Sequence, residues 1–265
     1  MRPLFAIVFP VRAIVAQSVE HHFRKVGVAS SILANGSMKP PSAQAVWDDE
    51  YTRPVFTSFN REPHQVVKDF LKHLRRKELL ELEEKVFFDA GCGIGKDVQY
   101  ATDHYGMRGI GCDLSSVAIA EAERYVPGGN FFVQDLETVL PLGDASVDVA
   151  VLVMVIHALS EKGRHTAIAE LARVIKQGGF LFLKTVAVEG DSHAKHLIKT
   201  VPGNEPSSFI HPELQIPEYV YSRETLLADL GSYFDVILLE KTAGYQKWNN
   251  QSYKRNYWIA YLKRK

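Results

Sequence analysis

The sequence predicts an α/β fold, in which a doubly wound and mostly parallel sheet carries helices on both faces. Two observations predict this class. Apolar runs of strand length alternate with helical patterns between residues 86 and 263, and such alternation is typical of parallel sheets covered on both sides. The stretch VFFDAGCGIG, residues 86–95, also places three glycines directly after the first apolar run, where such sheets bind ligands.

Each element follows from a local pattern. Residues 63–76 predict an amphipathic helix, because apolar side chains recur there at helical spacing. Ser115 and Ser222 are predicted N-caps, and Gly178 with Gly179 predicts the end of a helix. The predicted strands are 86–89, 109–113, 131–133, 147–153, 180–185, 234–241 and 257–263. The predicted later helices are 96–105, 115–125, 164–176 and 222–230.

The last two predicted strands have no helical pattern between them. Residues 242–256 are polar and predict a link, so strands 234–241 and 257–263 are expected to form a hairpin. One strand of that hairpin would be antiparallel to the others. The prediction is therefore a seven-stranded, mostly parallel sheet.

Composition bounds the class of protein. The chain has 265 residues and a net charge of zero, whereas a dedicated nucleic-acid binder shows a basic excess, so no nucleic-acid partner is expected. Cys92 and Cys112 are the only cysteines, which favours reduced thiols and a cytoplasmic location over a disulfide framework. No apolar run has the length of a transmembrane helix, and no membrane partner is expected.

Residues 1–37 differ from the rest. Their opening has the outline of a signal peptide, but Pro10 and Arg12 interrupt the apolar run. The stretch AQSVEHHFRKVGVASSILANGS instead resembles a translated tRNA gene, since codons for residues 30–32 can contain GTTCGA, a T-loop sequence of tRNAs. We therefore expect residues 1–37 to be disordered or a spurious extension, with Met38 as the true start.

The remaining chain divides by pattern. Residues 38–80 are predicted to form an N-terminal arm and a helix, and residues 81–265 the main domain. Residues 186–221 are a long segment after the fifth strand, without a clear strand or helix pattern. Segments of that length are usually functional or disordered, so we expect a lid over the substrate.

The glycine loop indicates what binds. Dinucleotide loops have the spacing G-x-G-x-x-G, but here the spacing is G-x-G-x-G and Lys96 follows. Asp89 precedes the loop, and a carboxylate there would repel a pyrophosphate, which prefers helix N-termini and N–H groups. A cationic ligand suits it better. This favours S-adenosylmethionine (SAM) over NAD.

Two further acids follow later strands. Asp113 lies 22 residues after Gly91, at the place where a carboxylate accepts hydrogen bonds from a ribose. An acid that stabilises a helix N-terminus is the other explanation. Asp135 directly follows the third strand, where it can accept from an exocyclic amino group while the Leu136 backbone meets an adenine. Each acid alone means little, but three at successive strand tips form a pattern.

Together these motifs resemble class I SAM-dependent methyltransferases, of the small-molecule type that includes tellurite-resistance and ubiquinone-biosynthesis enzymes. The resemblance covers residues 86–185, through VFFDAGCGIGKDVQYATDHYGMRGIGCDLSSVAIAEAER, NFFVQDLETVLPLGDASVDVAVLVMVIHAL and AIAELARVIKQGGFLFLKT. It implies a Rossmann-like sheet and SAM as the cofactor. The cofactor-binding residues that it implies are Asp89, Gly91, Cys92, Gly93, Gly95, Asp113, Leu114, Asp135, Leu136, Val153 and Met154.

Two segments outside the cofactor motifs bear on the acceptor. WDDEY, residues 47–51, resembles the aromatic segment that closes over the cofactor in these enzymes. The position after the fourth strand reads VMVIHAL and lacks the Asn- or Asp-Pro-Pro-aromatic box of enzymes that methylate adenine or glutamine. Methylation of those groups is therefore disfavoured.

His157, just after the fourth strand, is the candidate general base or substrate contact. A histidine that only fills space at the sheet edge is the other interpretation. In the predicted lid, His193, His196 and His211 are expected to be solvated, and no metal site is predicted because no cysteine or acid cluster accompanies them. Aromatic walls for the substrate are expected from Tyr219, Tyr221, Trp248 and Tyr253.

The predicted function is methyl transfer from SAM to a small-molecule acceptor. Two alternatives stay open, an NAD-linked oxidoreductase and a non-catalytic SAM-binding protein. Neither the acceptor atom, whether O, N, S or C, nor the oligomeric state follows from the sequence.

Overall fold

The computed structural model describes residues 41–54, 60–248 and 251–265. Residues 43–265 form one compact unit. Residues 1–37, for which we predicted disorder or a spurious origin, lie outside the described part. Within that part, no helix is long and apolar enough to cross a bilayer.

The helices and strands are numbered in chain order. The helices are α1 (Ala43–Thr52), α2 (Gln65–Arg76), α3 (Lys96–Tyr105), α4 (Ser116–Tyr125), α5 (Glu161–Val174), α6 (Ser192–Thr200) and α7 (Arg223–Gly231), with a 3₁₀ turn at Ile156–Ala158. The strands are β1 (Val86–Ala90), β2 (Arg108–Asp113), β3 (Asn130–Val133), β4 (Val147–Val153), β5 (Ile175–Val186), β6 (Ser208–Ile210), β7 (Pro217–Tyr219), β8 (Phe234–Trp248) and β9 (Gln251–Arg264).

Seven strands form one sheet in the order β3-β2-β1-β4-β5-β9-β8. The pairs from β3 to β5 are parallel, whereas β9 runs antiparallel to both β5 and β8. This confirms the predicted doubly wound sheet with one antiparallel strand. The order reverses between β1 and β4, so the carboxyl ends of these strands form the switch point at which such sheets bind ligands.

The core lies on both faces of the sheet. Every residue of β1 and β4 is buried, as expected for central parallel strands covered on both sides. Phe88 packs in the layer that includes Leu171 of α5, whereas Phe87 packs in the layer that includes Phe70 of α2 and Val98 of α3. Phe87 and Phe88, which are adjacent in β1, therefore pack in the cores on opposite faces of the sheet.

Two predictions about local structure were wrong. The predicted link 242–256 instead continues both strands of the hairpin, because its backbone groups pair across β8 and β9 up to Trp248 and Gln251. A polar composition is compatible with strands at the solvated edge of a sheet. Gly178 and Gly179 do not end a helix: they lie inside β5, where the register shifts between Val147 and Val149 of β4, and glycine tolerates such a bulge.

The insertion, residues 186–221, is folded rather than a bare loop. It contains α6 and a two-stranded sheet of β6 and β7. Leu197 and Phe209 form a small core with Val186, against which Met154 and Tyr257 pack. The insertion is therefore attached to the end of β4 and to β9.

The contact between β2 and β3 gives a test of the fold. A Cβ on Gly111 would lie 2.7 Å from the Phe131 ring and 2.8 Å from Cys92 Sγ, so we expect Gly111→Ala to destabilise the protein by about 1–3 kcal/mol. Gly231→Ala is the control, since its Cβ meets nothing within 4 Å and should be neutral or stabilising by about 0.4–1 kcal/mol. Urea unfolding measures both, and equal stabilities would contradict the packing.

Candidate active site

The glycine loop folds back onto β2. The N–H groups of Gly91 and Cys92 both donate to the carbonyl of Cys112, at 2.8 Å each. Gly91 has φ 90° and Gly93 has φ 53°, in the left-handed region that favours glycine. A side chain at Gly91 would also collide with Val155. The loop thus leaves bare backbone at the carboxyl ends of β1 and β4.

Asp113 ties the loop to the tip of β2. Its carboxylate accepts hydrogen bonds from Gly93 N and Ser115 N, both at 2.9 Å. Burial raises the pKa of Asp113, while hydrogen bonds from the N–H groups of Ser115, Gly93 and Leu114 act in the opposite direction. Because each carboxylate oxygen has two lone pairs, acceptor capacity remains for ribose hydroxyls.

Asp89 lies at the buried end of β1. Burial raises the pKa of Asp89 well above its ordinary value, and the carboxylates of Asp97 and Asp113 raise it further, with Lys96 opposing them. Asp97 is itself buried and accepts from His64, at 2.7 Å from the backbone N and 2.6 Å from Nδ1. A cation near Asp89 would relieve the repulsion within this acidic cluster.

The segment WDDEY lies in α1, which packs over the loop. Asp48 accepts from Ser115 Oγ at 2.7 Å and from Val117 N at 3.3 Å, and thereby caps the start of α4. Tyr51 reaches the loop, because its hydroxyl lies 2.7 Å from the place a Cβ on Gly93 would occupy. The structure therefore places this aromatic segment against the glycine loop.

The environment of Tyr51 is also acidic. Burial raises the pKa of the Tyr51 hydroxyl, and Asp113, Cys92, Asp89 and Glu50 raise it further. The hydroxyl therefore stays protonated and can donate a hydrogen bond. Burial likewise raises the pKa of the Cys92 thiol, which favours its protonated form.

The tip of β3 supplies the third acid. Asp135 is exposed, and one carboxylate oxygen accepts from Glu137 N at 2.9 Å. The Leu136 side chain is buried in the main core. Backbone pairing brings this tip beside Asp113, since Gln134 N donates to the Asp113 carbonyl at 2.9 Å. The predicted acids of successive strands thus meet at one edge of the sheet.

The end of β4 and the turn after it lie between the glycine loop and the insertion. Val153 is buried, and Met154 adopts φ 58° with its N–H donating to Lys184 O at 2.9 Å. Val155 packs against Gly91. This turn leads directly to His157, the second residue of the 3₁₀ turn, which packs against β7 of the insertion.

His157 is buried, with 6% of its surface exposed. Burial lowers its pKa to about 3, and Arg255 and His211 contribute to the shift, so the imidazole is neutral over the working pH range. Its Nε2 lies 4.0 Å from Glu218 Oε1. Its Nδ1 is buried without a hydrogen-bond partner among the described residues.

Glu218 and Arg255 complete a polar cluster that the sequence analysis missed. Burial raises the pKa of Glu218 to about 7, with Arg255 opposing. Arg255 Nε donates to Asp191 Oδ2 at 2.9 Å, and this carboxylate is fully buried at the N-cap of α6. Glu218 comes from β7 of the insertion and Arg255 from β9, so only the tertiary fold brings them to His157 and no spacing in the sequence signals their meeting.

The histidines of the insertion have different environments. Burial lowers the pKa of His211 to about 4, and its Nδ1 accepts from the N–H groups of Glu213 and Leu214. The expectation that it is solvated was wrong, because it is 7% exposed. His193 stacks on Tyr253 with 4.1 Å between ring centroids. No group of metal-ligating side chains occurs among the described residues.

The aromatic residues predicted to line the substrate site have different environments in the structure. Tyr221 is fully buried in the main core, and its hydroxyl donates to Asp229 at 3.2 Å, so it is a core residue. Tyr219 packs under the guanidinium of Arg164, 4.0 Å from the ring centroid. The side chain of Trp248 lies outside the described residues.

Comparison with known proteins agrees with this geometry. Residues 88–183 match the model of a methyltransferase domain. A tRNA (carboxymethyluridine(34)-5-O)-methyltransferase of Arabidopsis thaliana is 30% identical over 61% of this chain and 39% of its own length. A tRNA N(3)-cytidine methyltransferase of Xenopus tropicalis is 33% identical over 36% of this chain and 32% of its own. The chain thus spans about two fifths or less of these relatives.

Solved structures show the same fold. A SAM-dependent methyltransferase of Methanosarcina mazei superposes with a TM-score of 0.59, over 77% of this chain and 98% of that one, at 20% identity. One of Anabaena variabilis gives a TM-score of 0.58 over 87% and 99%, at 14% identity.

The sheet order and the glycine loop agree with the methyltransferase domain that residues 88–183 match. The solved structures of this fold named above are SAM-dependent, so SAM is the methyl donor against which the site is compared. The residues present fit that donor. The loop offers bare backbone where a bulky side chain would intrude, and its buried acids Asp89 and Asp113 suit a ligand with an ammonium, a sulfonium and a ribose. The adenine contact predicted for Asp135 and the Leu136 backbone stays a prediction.

The first test of the cofactor site concerns Asp113. We expect Asp113→Ala to weaken SAM binding strongly, because each hydrogen bond to a charged group contributes about 1.5–3 kcal/mol and the Gly93 N–H also loses its partner. Asp103→Ala is the control, since Asp103 is exposed on α3. Titration calorimetry measures both affinities. Unchanged affinity in Asp113→Ala would refute the assigned site.

The second test concerns Asp89. Burial raises the pKa of Asp89 in the free protein, and a bound cation favours the ionised form, so SAM binding should release protons at pH values around that raised pKa. Affinity is therefore expected to rise with pH and to level off above the ligand-free pKa of Asp89. Calorimetry in buffers of different ionisation enthalpy counts the protons. Asp89→Asn should bind SAM more weakly and release fewer protons on binding. Equal proton release in both proteins would contradict the role of Asp89 as the titrating group.

Proposed function

We propose that this protein transfers the methyl group of SAM to a small-molecule acceptor bound between the end of β4 and the insertion. The observation that carries the proposal is the buried cluster of His157, Glu218 and Arg255, each less than a tenth exposed. His157 follows Val155, and Val155 lies against Gly91 of the glycine loop, which supports an acceptor site next to the cofactor site. We propose that the insertion acts as the lid over that acceptor.

The burial of His157, Glu218 and Arg255 supports a small acceptor. A site walled by buried side chains suits a molecule that can be surrounded, as ligand pockets usually surround small molecules. Methyl transfer needs alignment of nucleophile and methyl above all, and orientation of this kind contributes up to about 7–11 kcal/mol. A folded lid held by the Asp191–Arg255 pair supplies a rigid wall for it.

The charge of the lid supports the same acceptor class. Residues 186–221 contain five acidic residues and two lysines. Proteins that bind a polynucleotide neutralise its phosphates with Lys and Arg. An acidic lid disfavours a phosphate backbone crossing it.

A tRNA nucleotide is the second candidate acceptor. The curated relatives act on tRNA by name, and this favours it even though the matches cover only part of those proteins. Enzymes that modify a base take it out of the stack. A single nucleotide turned out of its helix could therefore reach the same buried cluster.

An acceptor assay separates the two candidates. With SAM labelled in its methyl group, we expect label to enter acid-soluble product from a low-molecular-mass cell extract, and not acid-insoluble tRNA. Both acceptor pools are tested in parallel, and Asp113→Ala gives the background. Label in tRNA with none in the extract would overturn the small-molecule proposal. S-adenosylhomocysteine formed in neither pool, with SAM binding intact, would favour a non-catalytic SAM-binding protein.

A further inference from the structure

We propose that His157 and Glu218 form a proton-accepting pair for an acceptor whose nucleophile is a hydroxyl or an N–H group. This inference rests on the proposed function and narrows its substrate class. His157 is assigned the direct contact with the acceptor, and Glu218 is a positioning residue that acts through it.

The geometry of the two imidazole nitrogens carries the proposal. Nε2 faces the Glu218 carboxylate at 4.0 Å, and a carboxylate at this side favours the tautomer with the proton on Nε2. Nδ1 then holds a lone pair, and it is buried without a partner among the described residues. An unpaired buried acceptor is costly, so this nitrogen is suited to receive a hydrogen bond from a ligand.

The position of the imidazole in the fold supports the contact. His157 follows Val155, whose side chain packs on Gly91 of the cofactor loop. The 3₁₀ turn that carries His157 packs against β7, which carries Glu218. The imidazole is thus held between the cofactor loop and the lid. We infer that an acceptor bound between the cofactor loop and the insertion contacts Nδ1.

The chemistry balances without an additional reactant. The acceptor O or N forms a bond to the methyl carbon as the carbon–sulfur bond breaks, and sulfur keeps the bonding electron pair as the neutral thioether. The acceptor proton passes to His157 Nδ1, and ionised Glu218 stabilises the imidazolium. The proton then leaves to solvent with the product. Positioned bases of this kind contribute roughly 10²–10⁴-fold.

The pair also predicts a pH dependence. Glu218 must be ionised, and burial places its pKa at about 7, so activity rises as pH increases through that value. The groups that face Glu218 are Arg255 and Tyr257 of β9 and His157. Burial lowers the pKa of His157 to about 3, so the base itself stays neutral throughout.

The first experiment uses the labelled low-molecular-mass extract with full-length variants. His157→Ala is expected to lower product formation by about 10²-fold or more, with SAM affinity unchanged. Glu218→Gln keeps the size of the side chain but removes its charge. It should lower product formation less than His157→Ala does, and it should abolish the increase in activity near neutral pH. His196→Ala is the matched control, since His196 is exposed on the same lid. Wild-type rates in His157→Ala, or an unaltered pH profile in Glu218→Gln, would overturn the pair.

The second experiment tests the acceptor class. The extract is treated with iodoacetamide, which alkylates thiols, and the reagent is quenched before the protein is added. Product that persists supports a hydroxyl or N–H acceptor, whereas loss of the product identifies a thiol and overturns the class.

The third experiment needs no acceptor. ¹⁵N-histidine NMR of the full chain, assigned with His157→Ala, should show His157 as the Nε2–H tautomer, and a change of tautomer or exchange in Glu218→Gln. The Nδ1–H tautomer would overturn the pair. If no acceptor pool is methylated, the proposed function fails, while this measurement still decides the arrangement of the pair.

Discussion

The site depends on the carboxylate of Asp113 and the backbone that it holds. This side chain accepts from the N–H of Gly93 and of Ser115, so one acid joins the glycine loop, the tip of β2 and the start of α4. The Cys112 carbonyl receives the two preceding loop N–H groups. The loop is therefore preorganised before a cofactor arrives, and binding does not have to order it.

The two sides of the site differ in electrostatics. The cofactor side concentrates the carboxylates of Asp89, Asp97 and Asp113 around bare backbone, which suits a cation. Beneath the insertion, burial lowers the pKa of His157 and of His211, and Arg255 adds to both shifts. The Asp191 carboxylate balances the charge of Arg255. The acidic loop thus favours a positively charged ligand, while the imidazoles of His157 and His211 are neutral.

Features that depend on residues close together in the chain were predictable from the sequence, whereas features that depend on distant residues were not. The buried central strands, the serine caps at Ser115 and Ser222, and the glycine loop are local, and they were predicted within a few residues. The predicted link and the predicted helix stop failed because backbone pairing between strands overrode local composition. Glycine often ends helices, but the conformational freedom of Gly178 and Gly179 instead allows the bulge in β5.

The sequence by itself determined the class of fold, the acidic glycine loop and the preference for a cationic cofactor, since these depend on periodicity and on charges a few residues apart. Only the tertiary structure brought Glu218 and Arg255 to His157, across intervals of 61 and 98 positions in the chain. It also decided that Tyr221 is a core residue and that residues 186–221 fold. The physical reason is that these groups become buried and paired when the insertion packs on the end of β4 and on β9, which no local sequence pattern records.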